Sequence, residues 1–75
     1  MNDELDKLLE RITELDREGK STDKIGAPRA LGGHQFETTL GGAGFEAPFC
    51  FAASDEAEAR EITAAAQHWA ERRIR

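Results

Sequence analysis

Large apolar residues recur at every second position on both sides of a glycine cluster between His34 and Ala52. Before the cluster, His34, Phe36, Thr38 and Leu40 share one parity, and after it Phe45, Ala47, Phe49 and Phe51 do. A period of two puts each set on one face of a β-strand. The connecting Gly41-Gly42-Ala43-Gly44 is short enough to reverse the chain directly. A hairpin over 34–52 follows. With Gly42 and Ala43 as the centre of a type II′ turn, the expected partners are Leu40 with Phe45, Thr38 with Ala47, Phe36 with Phe49 and His34 with Phe51. Gln35, Glu37, Thr39, Glu46 and Cys50 then look the other way. Pro48 also falls on that polar side and lacks an amide, which argues for an outer edge or a bulge.

An isolated hairpin does not survive in water, so its aromatic face needs a cover. Two flanking segments supply one. Over 3–18, Leu5, Leu8, Leu9, Ile12 and Leu15 form one stripe of a 3.6-residue repeat, with Asp3, Glu4 and Asp6 at the positive end of the dipole and Gly19 as a left-handed stop. Asp3 with Lys7 and Glu14 with Arg17 are the expected ion pairs on its solvent side. Over 55–73, Ala59, Ile62, Ala65, Ala66, Trp69 and Ala70 make a second apolar side, opened by Ser54 or Asp55 and supported outside by Glu56 with Arg60. Residues 20–33 show no sustained period and read as an irregular connection, with Ile25 and Leu31 turned inward. The expectation is one small α+β domain over 1–75, of α-β-β-α order, with both helices on the aromatic face and Phe36, Phe45, Phe49 and Phe51 as the central layer.

Composition limits how much such a core holds. The apolar set contains twelve Ala against six Leu, four Ile and four Phe, so much of it is methyl-sized. With 75 residues, a single cysteine and no Cys/His spacing of a zinc site, neither disulfide nor structural metal reinforces it. Self-association is the remaining common remedy. The lone Cys50 and the lack of a long apolar run or signal-like segment point to a reducing, cytoplasmic setting. A net charge of −5 repels a phosphate backbone.

Chemistry finds little purchase. His34, His68 and Cys50 are the soft ligands, but they sit on different faces, so no metal and no Cys–His nucleophile is expected. The glycine clusters neither precede a helix nor carry the Lys-Ser/Thr ending of a phosphate loop. No cofactor follows.

The reading that remains is a non-enzymatic protein-interaction module, homodimeric, serving as adaptor, inhibitor or regulator. Its candidate contact residues are Ile25, Arg29, Leu31 and His34 along the connection, and Trp69, Arg72 and Arg73 on the second helix. Helix against helix, edge against edge and helix exchange are the three routes to a dimer. One alternative is a nucleic-acid regulator that uses Arg60, Trp69, Arg72, Arg73 and Arg75, and another is a small enzyme or ligand binder near His34.

Overall fold

A computed structural model describes residues 3–73. Helix α1 (Asp3–Arg17) leads into strands β1 (Thr22–Ile25), β2 (Arg29–Gly32), β3 (Gln35–Gly42) and β4 (Phe45–Ala52), and helix α2 (Glu56–Arg73) closes the chain. The protein is α+β, with both helices over the aromatic face of an antiparallel sheet.

The first helix stops as its sequence demands. Gly19, at φ +83°, donates to the Asp16 carbonyl, and Lys20 donates to that of Leu15. This pair of bonds satisfies carbonyls that the helix end leaves open. The ion pairs on its surface are Lys7 with Glu4 and Arg11 with Glu14, each three residues apart, in place of the expected Asp3–Lys7 and Glu14–Arg17. At the start of α2, Asp55 accepts from the Glu58 amide while the Glu58 carboxylate accepts from the Ser54 amide. Asp55 is therefore the cap, and Glu56 pairs with Arg60 as expected.

Residues 20–33 are the main correction. They hold two short strands, β1 on Leu40, Gly41 and Gly42 and β2 on Gln35, Phe36 and Glu37. Since β4 runs along one side of β3 from end to end, β1 and β2 share the other side as a single broken edge. The break is Gly26-Ala27-Pro28. There Gly26 donates to the Thr39 carbonyl at 2.9 Å, and its own carbonyl accepts from the Thr38 hydroxyl at 2.6 Å. A buried strand cannot leave one row of backbone groups unpaired, and that need imposes pairing on a segment whose own composition resists it.

The register of the β3–β4 hairpin also departs from expectation. Leu40 pairs with Ala47, Thr38 with Phe49 and Phe36 with Phe51, so the loop is Ala43-Gly44 and the positive φ belongs to Gly44, at +81°. The pairing is displaced by two residues. An even slip preserves the face of every side chain, which is why the apolar side survives the change of partners. His34 leaves the strand altogether. It shares the β2–β3 turn with Gly33, both at positive φ (+66° and +57°).

The core comprises Leu8, Ile12 and Leu15 of α1, Phe36, Leu40 and Phe51 of the sheet, Ala53, and Ala59, Ile62 and Ala66 of α2. Phe51 lies 6.1 Å from Phe36 and 6.5 Å from Phe49, ring centre to ring centre. Of the four phenylalanines expected at the centre, Phe36 and Phe51 are buried, whereas Phe45 and Phe49 are half-covered at its margin.

Candidate interaction surface

Side chains from the helices cap the sheet at two places, on β1 and on the end of β4. On the β1 side, the Gln67 amide of α2 accepts from the Ile25 amide at 2.7 Å and donates to the Asp23 carbonyl at 3.0 Å. One side chain thus occupies the backbone positions a further strand would use. On the β4 side, Thr39 directs its carbonyl toward Gly26, so Thr39 and its partner Pro48 are a pair not hydrogen-bonded to each other. The backbone nitrogen of Pro48 consequently faces outward, at the position where it has no hydrogen to offer. Four residues on, the outward Ala52 amide donates to the Glu4 carboxylate at 2.8 Å. Proline and occupied amides are how natural sheets resist edge pairing.

The Glu4 carboxyl sits below the ordinary glutamate range. Its bond from the Ala52 amide is the largest cause and the neighbouring Lys7 ammonium the next, against a smaller opposing effect of burial.

The sequence-derived contact residues do not converge. Ile25 packs against the core and is held by Gln67. Arg29 lies on the open face, its guanidinium 2.6 Å from the Glu37 carboxylate across the strand pair. Leu31, at 48% exposure, is the exposed large hydrophobic among the described residues rather than an inward one. His34 sits exposed in its turn, Nδ1 3.1 Å from the Ser54 carbonyl oxygen, and does not face Phe51. Trp69 is half-buried on α2, Arg72 is exposed one turn further on, and Arg73 ends the helix. Arg75 lies outside the described residues. Arg60, grouped with these arginines by sequence, is engaged by Glu56 at 3.5 Å. Among the described residues no group of His, Cys, Asp and Glu is placed to hold a metal ion, and no helix is long and apolar enough to cross a membrane.

Beyond Trp69 and Arg72, the sequence did not single out as contacts the rest of the α2 flank beside α1, Glu58, Glu61 and Ala65, nor Leu5 opposite it. Ala65, counted there on the buried side, is exposed, while Ala59, Ile62, Ala66 and Ala70 go inward. Leu5 of α1 lines one groove with Glu58, Glu61, Ile62 and Ala65. A second, of about 550 Å³, continues along Ala65, His68, Trp69 and Arg72. Leu5, Leu9 and Trp69 pack against the core without being covered by it. The helical spacing of these positions was available in the sequence, but which of two adjacent alanines meets the sheet depends on where α1 lies.

The chain matches no protein-family model, no curated protein and no solved structure.

Proposed function

We propose that this chain is a non-catalytic protein-interaction module that works as a homodimer, joined through the face made by α1 and α2. One observation carries the reading. The β1 edge is occupied by Gln67, and the β4 edge is blocked at Pro48 and at Ala52, which Glu4 holds, while the seam of Leu5, Ala65 and Trp69 is left partly open. Of the three routes to a dimer, this disfavours strand addition at β1 and β4 and favours helix against helix. The apolar supply of the chain is small, and surface of this kind gains most when a partner covers it. The exposed sheet face, with Arg29 and Leu31, is left for another protein, as adaptor, inhibitor or regulator work requires.

Sedimentation equilibrium and light scattering across a hundredfold dilution series test this. A mass near twice 8.3 kDa that falls toward 8.3 kDa on dilution is the expected result. A particle of 8.3 kDa at every concentration would overturn it.

A further inference from the structure

The flank of α2 that lines the two grooves is arranged symmetrically about Ala65, with Ile62 buried at its inner margin and Glu61, Ala65, His68 and Arg72 exposed. Ile62 and His68 lie three residues to either side, Glu61 and Trp69 four, and Glu58 and Arg72 seven. At 3.6 residues per turn all of them fall along one flank of the helix. The acids lie on the N-terminal side of Ala65 and the bases on the C-terminal side. Glu61 and Arg72 are exposed, and neither has an ion-pair partner among the described residues.

We infer that the homodimer forms by antiparallel packing of α2 on α2 of a second copy, with the two-fold axis passing at Ala65. This rests on the self-association proposed above and specifies its geometry. In that arrangement Arg72 of each copy falls between Glu58 and Glu61 of the other. His68 falls beside Glu61, and Trp69 over the Ile62 side of the groove that Leu5 lines. Each contact occurs twice, as a two-fold axis requires. A parallel pairing would instead set Glu58 on Glu58 and Arg72 on Arg72, and like charges in register oppose association. The methyl group of Ala65 is what allows the two helices to meet at this point, because helix axes approach to about 8 Å only over small side chains. The absence of a larger residue on the axis thus has a use that the monomer does not require.

The experiment uses the full chain with Cys50→Ser, which removes the exposed native thiol. Ala65→Cys in that background gives two thiols meeting across the axis, and mild oxidation converts most of the protein to a covalent dimer. Ala64→Cys, on the exposed side about 100° round the helix, stays largely monomeric under the same treatment. Arg72→Glu raises the dimer dissociation constant roughly tenfold, because two symmetry-related contacts are lost together. Adding Glu61→Arg to it recovers most of the loss. A dimer that does not cross-link at position 65, cross-links equally at 64, or ignores Arg72→Glu overturns this geometry while leaving self-association intact. A monomer at all concentrations overturns both.

Discussion

The Glu4 carboxylate accepts the Ala52 amide at 2.8 Å and so ties the first turn of α1 to the outer border of β4. The bond favours the charged form and holds the Glu4 pKa below its ordinary value. A lowered pKa in the folded state contributes stability that is complete above the ordinary glutamate value and is lost as pH falls through the folded one. Glu4→Gln keeps an acceptor but not the charge. At neutral pH the variant should melt lower by about 4–8 °C, corresponding to about 1 kcal/mol. The difference should close in acid. Thermal melts of both proteins from neutral to strongly acidic buffer check it, and a gap independent of pH would remove the carboxylate from the account.

Gly42 and Gly44 lie two residues apart and are required for different reasons. A Cβ on Gly42 would overlap the Ser21 carbonyl oxygen and come within 2.6 Å of Phe45 Cε1, whereas Gly44 has open space and a φ of +81°. Asn tolerates the left-handed region and cures no clash. Gly44→Asn is therefore expected to stay within about 0.5 kcal/mol of the parent, and Gly42→Asn to lose about 1–3 kcal/mol through overpacking at the start of β1. Urea titration of the two variants separates them. Equal losses would mean that the loop lies elsewhere.

Thr22 and Thr38 are both buried, yet only one hydroxyl has a partner. Thr38 donates to the Gly26 carbonyl at 2.6 Å; Thr22 Oγ1 finds no partner among the described residues. Thr38→Val should cost about 1–3 kcal/mol, because the Gly26 carbonyl loses its donor. Thr22→Val should be neutral or stabilising by up to about 1 kcal/mol, since it removes a polar atom that burial penalises. Chemical denaturation of each variant decides, and a destabilised Thr22→Val would reveal a bond on that hydroxyl in solution.

Phe51 is 2% exposed and stands between Phe36 and Phe49, while Phe49 is half-covered on β4, whose far side has no neighbouring strand among the described residues. Truncation leaves a cavity only where the surroundings are closed. Phe51→Ala should cost about 3–5 kcal/mol, enough to unfold a domain of this size. Phe49→Ala should cost roughly half as much. Circular dichroism at 25 °C distinguishes a chain that unfolds outright from one that merely melts earlier.

The helices, the hairpin and the side of every hairpin residue from Phe36 to Phe51 could be read from the chain, because periods of 3.6 and 2 are local properties. So could the cap at Gly19 and the outer position of Pro48. Three things could not. The loop position in the hairpin was missed because an even slip leaves the hydrophobic pattern unchanged, so alternation alone does not select among registers. The strands β1 and β2 were missed because Thr-Asp-Lys-Ile and Arg-Ala-Leu-Gly carry no alternation of their own and are drawn into the sheet by the unpaired backbone of β3. The exposed place of Ala65 was missed because it is decided by how α1 shares the sheet with α2. Local periodicity determines which side of an element is apolar; only the packed structure decides which part of that side stays uncovered, because coverage depends on neighbours far away in the chain.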